Sequence, residues 1–124
     1  GTTTPFSWGD QIDSTLVNFD GTQPYNNGRK SEFRGETFAV KVLPCNDWGL
    51  YQMHGSVWEW CQDSFANYSV KPVVDPLNQE PDVDHVLRGG WLLNTGAGCR
   101  SAARGHDVPS YRRYNAGFRL ARGH

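Results

Sequence analysis

Glycine and proline make up 21 of the 124 residues and are spread evenly along the chain. Each interrupts regular structure, glycine through its unrestricted backbone and proline through its missing N–H. Punctuation at that density disfavours a helical bundle and permits short strands and loops. The length suits one domain with a real core. No heptad, internal repeat or low-complexity tract offers another architecture. The expected fold is α+β or mostly β, strand-poor and loop-heavy.

The local patterns fit this expectation. Residues 1–47 are loop-rich, with DG and NNG turn signals and one weak helical turn in DQIDSTLVNF (10–19). TFAVKVL (37–43) reads as a short strand. WGLYQMHGSVWEWCQD (48–63) alternates apolar and polar residues around Gly55, which predicts two short strands or a bent one. Residues 64–84 return to loop. HVLRGGWLL (85–93), CRSAAR (99–104) and AGFRLAR (116–122) read as further short strands.

Charge and side-chain chemistry exclude several functions. The net charge is −1, so no overall field draws the chain to nucleic acid. No apolar run approaches the 18 or so residues of a membrane span. No leader is visible at GTTTPFSWGD, which says little about compartment. Cys45, Cys61 and Cys99 are odd in number and none lies in a CxxC pair, against a thiolate zinc site or redox motif. They read as small buried hydrophobes, with one disulfide as the alternative. His54, His85, His106 and His124 are scattered without ligand spacing, and Ser56 in HGSVW is not a GxSxG elbow. Asp82 and Asp84 in EPDVD read as loop residues or partners for an arginine.

Three phrases occur in order: NDWGLYQMHGSVWEW (46–60), HVLRGGW (85–91) and RSAAR…P…R…GFRLAR (100–122). Together they resemble the sulfatase-modifying-factor family, which includes the formylglycine-generating enzymes. The openings GTTTPFSWGD and VNFDGTQPY are similar to the middle of that family's domain. The resemblance covers residues 1–124 as a single formylglycine-generating-enzyme-like domain, similar to the C-terminal half of longer members. It implies an α+β, C-type-lectin-like fold, a small twisted antiparallel sheet with long irregular loops and little helix, and allows for an N-terminal partner segment that completes it. Three substitutions depart from the motifs: Gln52 for the usual Asp, Ser56 for Asn and Trp91 for Ser.

The resemblance also implies chemistry that can be checked residue by residue. Formylglycine generation needs two cysteines after RGG to hold copper(I), an ion suited to soft thiolates. Here that segment is WLLNTGAG (91–98), and Cys99 falls after both positions. No copper is expected. Cys99 beside Arg100 is either a core residue or, in the alternative reading, a reactive thiol. The related iron-dependent sulfoxide synthases draw their iron histidines from a further domain. Structural calcium, a hard ion held by loop oxygens, is implied at two places. One is Asn18 with the Phe19 carbonyl and Glu32; the other is Glu59 with carbonyls near Gly55 and Val57. Otherwise Asn18 caps a turn and Glu59 pairs with an arginine.

The stretch from Arg100 to His124 holds six arginines in 25 residues. Matching the family pattern, Arg88, Gly89, Gly90, Arg100, Ser101, Ala102, Arg104, Pro109, Arg112, Gly117, Phe118, Arg119 and Leu120 read as framework. The arginines there are expected to tie loop carbonyls and carboxylates together rather than to form a phosphate strip. Between them lie Leu93, Asn94, Thr95, Gly98, Ala103, Gly105, His106, Asp107, Val108, Ser110, Tyr111, Arg113, Tyr114 and Asn115. From Leu92 onward there is no Trp, Lys, Glu, Gln or Met, whereas residues 1–91 contain eighteen. At that frequency six or seven would fall in the last 33 residues. Adenine mutagenesis of AAC codons leaves such a gap, because NNC codons encode none of those five residues. Diversity-generating retroelements act in this way on variable proteins that resemble this family.

The first reading is therefore a non-catalytic ligand-binding module whose fourteen exchangeable positions form the site, as in a variable protein of a diversity-generating retroelement. Tyr, Asn and Ser among them form an adaptable contact chemistry, with Leu93 and Val108 as apolar centre. The expected partner is a protein or another macromolecular, cell-surface ligand, with no nucleic acid and no membrane span. The alternatives are a divergent formylglycine-generating-type oxidase using Cys99, and an accessory domain binding through another face.

Overall fold

The computed structural model describes residues 2–74, 76–81 and 83–121. Asp82, Arg122 and His124, named above, lie outside them. Four strands form one sheet in the order β3-β2-β1-β4. Strand β1 spans Trp58–Ser64, β2 His85–Arg88, β3 Gly105–Asp107 and β4 Ala116–Gly117, and a 3-10 turn occupies Gly96–Cys99. The β1–β2 and β2–β3 pairs are antiparallel, while the short edge strand β4 runs parallel to β1. Register in β1–β2 sets Glu59 opposite Arg88 and Trp60 opposite Leu87, with an irregularity before Ser64. The small sheet, long loops and near absence of helix match the α+β expectation.

The most buried side chains do not lie on the sheet. Phe6, Ile12, Val17, Phe19 and Cys99 form a cluster, with Leu16 and Tyr25 packed against it. The sheet adds Val86 and Leu87 of β2. Burying a Phe or Val stabilises by about 1.5–3 kcal/mol each, so the loops supply much of what holds the molecule together. Their backbones are satisfied by one another. The Ser56 N–H donates to the Asn18 carbonyl at 2.8 Å, Gly55 to Gly89 at 2.8 Å, Gly96 to Gln23 at 2.9 Å and Ser101 to Pro5 at 2.8 Å. Gly55 is required at this crossing: its φ is +69°, and a Cβ there would stand 2.2 Å from the Asn18 carbonyl oxygen.

Several expected elements differ. Residues 37–43 are not a strand: the Val42 N–H turns back to the Ala39 carbonyl, and Val40 and Val42 are exposed. Without a neighbouring strand to pair with, β-branched residues there have nothing to stabilise extension. In 48–63 only the second half is a strand, since positive φ at Gln52, Gly55 and Ser56 breaks the first. CRSAAR (99–104) leaves the 3-10 turn as a bend instead of extending, and β3 begins at Gly105. Within 116–122 the strand is limited to Ala116–Gly117. HVLR extends as expected and stops at Gly89 and Gly90. The helical turn in 10–19 is one turn, with Leu16 and Val17 donating to the Asp13 carbonyl. All three cysteines are free: Cys99 is buried and Cys61 half-buried, but Cys45 is exposed, contrary to its expected burial.

Candidate functional site

The arginines of the C-terminal stretch act mainly as ties. Arg119 Nε donates to both carboxylate oxygens of Glu59, at 2.7 and 2.6 Å, and its Nη2 to the Gln52 carbonyl at 2.9 Å. Arg88 Nη1 reaches the carbonyls of Ser101 and Ala103, and Arg100 Nε that of Ala97. Arg104 donates to the Ala66 carbonyl while its guanidinium packs over Tyr68 and Phe65. A planar fork that joins several carbonyls does the work that sheet hydrogen bonds do elsewhere. Arg112, expected in the same role, is exposed.

None of the fourteen interspersed residues is buried, although Leu92, Gly96 and Cys99 between them are. Leu93, His106, Val108, Ser110, Tyr111, Arg113 and Tyr114 are exposed; Asn94, Thr95, Gly98, Ala103, Gly105, Asp107 and Asn115 are half-buried. One group gathers on the 107–114 loop. Arg113 pairs with Asp107 and lies over the Tyr111 ring, and the Tyr111 N–H closes a turn onto the Val108 carbonyl. Tyr114, 90% exposed, meets Trp91 edge to face at 5.8 Å between centroids. This contact joins the loop after β2 to the loop before β4. His106 stands apart: its Nδ1 lies 2.5 Å from Asp84 and its ring packs on Phe65. Asp84 thus answers a histidine and not an arginine.

Other members are wired into the framework. Asn94 Oδ1 accepts from the Trp91 N–H at 2.8 Å, and its carbonyl accepts from Asp20. Gly98 lies against the Asn94 side chain, and Gly105 opposite Leu87 and Trp58. The Asn115 carbonyl accepts from Trp58, and its Oδ1 is buried without a hydrogen-bond partner among the described residues. Leu93 and Thr95 are surface residues of the 91–98 loop. The contacts of Trp91 with Tyr114 and of Phe65 with His106 were missed in the sequence because they join segments distant in the chain. That Arg88 and Arg100 line a separate cavity with Trp48, Leu50 and Met53 was not legible for the same reason.

Cys99 has no exposure, and burial pushes its thiol up to about 12. It is a thiol, not a thiolate, at neutral pH, and it packs with Phe6 and Val17. Burial likewise raises the Cys61 thiol. His54 is buried with its pKa lowered by desolvation, and its Nδ1 donates to the Cys99 carbonyl at 2.7 Å.

The oxygens expected for calcium differ between the two places. Asn18 is 1% exposed and its Oδ1 has no hydrogen-bond partner among the described residues, as a cation ligand would be left. Glu32 lies on the same loop system but is exposed and pairs with Arg34 at 2.9 Å. The first place therefore fits in part. At the second, both Glu59 oxygens are taken by Arg119, so the carboxylate is neutralised by a guanidinium and does not fit a metal. Among the described residues no group of three or more His, Cys, Asp or Glu could hold a metal ion.

Comparison with known proteins agrees with this geometry. Residues 1–124 match the sulfatase-modifying factor enzyme 1-like domain. The formylglycine-generating enzyme of Mus musculus is 32% identical over 127 residues, covering 96% of this chain and 34% of that one. Its Streptomyces coelicolor counterpart is 34% identical, covering 94% and 40%. The chain thus spans little more than a third of the length of these relatives. Among solved structures, Treponema denticola variable protein 1 superposes with a TM-score of 0.66 at 26% identity, over 84% of this chain and 34% of that one. The architecture is C-type-lectin-like. No helix among the described residues is long and apolar enough to cross a membrane.

Proposed function

The chain belongs to the sulfatase-modifying factor enzyme 1-like family, and from that premise we propose that it is a non-catalytic ligand-binding module. Its binding surface is the set of exchangeable positions between the C-terminal framework residues, diversified by a retroelement. The observation that carries this reading is exposure: all fourteen positions are partly or fully exposed, and Arg88, Arg100, Arg104 and Arg119 around them tie loop carbonyls and a carboxylate together. Loop side chains on a rigid scaffold can change without unfolding it. The likeness to a variable protein and the missing Trp, Lys, Glu, Gln and Met after Trp91 support the same reading. Tyr111 and Tyr114 supply large contact area at low entropy cost, suited to a protein or other macromolecular ligand at a cell surface. A separate N-terminal segment that completes the domain remains part of this proposal.

Formylglycine-type oxidation would need a pair of thiolates, and Cys99 offers one buried thiol. Copper(I) titration is expected to give no stoichiometric site that Cys99→Ser removes. Structural calcium is proposed only at Asn18, through its unpartnered Oδ1 and neighbouring carbonyl oxygens.

Sequencing the coding region across a population tests the reading directly. Substitutions should concentrate in the fourteen codons, at adenines of a near-repeat lying beside a reverse transcriptase. Substitutions as frequent at Arg88, Arg119 or Phe118 as at Tyr111 or Tyr114 would overturn it.

A further inference from the structure

A cavity of about 570 Å³ opens between the 46–54 loop, the Arg88–Gly89 turn and Arg100–Ser101. That volume is typical of small-molecule sites. None of the fourteen loop positions lines it, so it is separate from the surface proposed above. Trp48, Leu50 and Met53 give its lining apolar surface, and Trp48 is 80% exposed.

The lining also includes Arg88 and Arg100. Arg88 uses Nη1 for two carbonyls and Arg100 uses Nε for one, which leaves further guanidinium N–H groups on each. Arg34, Arg113 and Arg119 each meet a carboxylate, but Arg88 and Arg100 meet none among the described residues. Asp47 also lines the cavity but makes no ion pair with either arginine. Half-buried guanidiniums without a counter-charge favour an incoming carboxylate, which they bind through paired N–H groups. Ser7, also in the lining, has a buried Oγ without a hydrogen-bond partner among the described residues. His54 closes the inner wall with both ring nitrogens engaged, by the Cys99 carbonyl and the Ser7 N–H, and so adds no free donor.

We propose that this cavity binds a small organic anion with an apolar body, an aryl- or alkyl-carboxylate. Its carboxylate lies against Arg88 and Arg100 and its body against Trp48, Leu50 and Met53.

Isothermal titration and amide chemical-shift mapping with 3-phenylpropionate, against neutral 3-phenylpropionamide, test the assignment. The acid should bind saturably and about tenfold or more tighter than the amide, the effect of one charge-assisted hydrogen-bond pair. Shifts should centre on Gly89 and Ser101. Arg100→Gln should bring the acid down to the amide's affinity, while Asp47→Asn should strengthen acid binding. Trp48→Ala, at an exposed position that leaves the fold intact, should weaken acid and amide alike. Absence of saturation up to about 10 mM acid, a Kd at the weak end of useful binding, would overturn the proposal. Equal binding of acid and amide, or shifts centred on Tyr111 and Tyr114, would do the same.

Discussion

At Cys99 and His54 burial sets the chemistry of single side chains. The thiol of Cys99 is raised to about 12 by desolvation, whereas Cys45 is exposed. Thiol titration of the native protein should therefore label Cys45 within minutes and leave Cys99 silent until denaturant is added; rapid labelling at Cys99 would restore the case for a reactive thiol. His54 gives a pH dependence with a definite sign. Its folded pKa lies below the ordinary 6.5 because burial disfavours the cation. Above 6.5 both folded and unfolded states are neutral and stability is full. As pH falls through 6.5 the unfolded chain takes up the proton first, so stability declines until the folded pKa is reached. Urea midpoints measured from pH 8 to 5 should fall across that window. The fall should shrink in His54→Asn at equal reference stability.

Among the elements, strands and loops contribute differently. β2 is short, but its Val86 and Leu87 are buried and it pairs on both sides. Leu87→Ala is expected to cost about 2–5 kcal/mol, the range for a buried leucine. Tyr114→Ala, on the loop before β4, should stay within about 0.5 kcal/mol, as surface changes do. Chemical denaturation of the two variants checks both values. The tie from the β4 side to β1 is the Arg119 fork on Glu59. Lysine keeps the charge but not the fork, so Arg119→Lys should lower stability by about 1 kcal/mol at this partly exposed site. A neutral result would mean that simple charge pairing suffices there.

For the molecule as a whole, the loops hold the core and the sheet sets the frame on which they cross. Where the 2–28 loops meet Ser56, Asn94, Gly96 and Ser101, backbone bonds replace a larger sheet. A metal at Asn18 would stabilise by mass action, since it binds only the folded chain. Adding millimolar calcium should raise the melting temperature of the wild type and leave Asn18→Ala unmoved; no shift in the wild type would remove calcium from the account. Glu59→Gln should destabilise equally with and without calcium, because its carboxylate is neutralised by Arg119.

Sequence alone determined the architecture class, because dense glycine and proline forbid long elements. Strand extents at 37–43 and 99–104 were not legible, because a short β-branched run extends only where another strand arrives to pair with it. Tertiary structure alone decided that Glu59 belongs to Arg119 and that Tyr114 meets Trp91. It also decided that Arg88 and Arg100 line one cavity with Trp48. Each of these joins segments 20 to 60 residues apart. Local pattern reports which residues share a face of one element. Which faces meet depends on how loops cross, and here close backbone approaches, such as Gly55 on Asn18, fix those crossings.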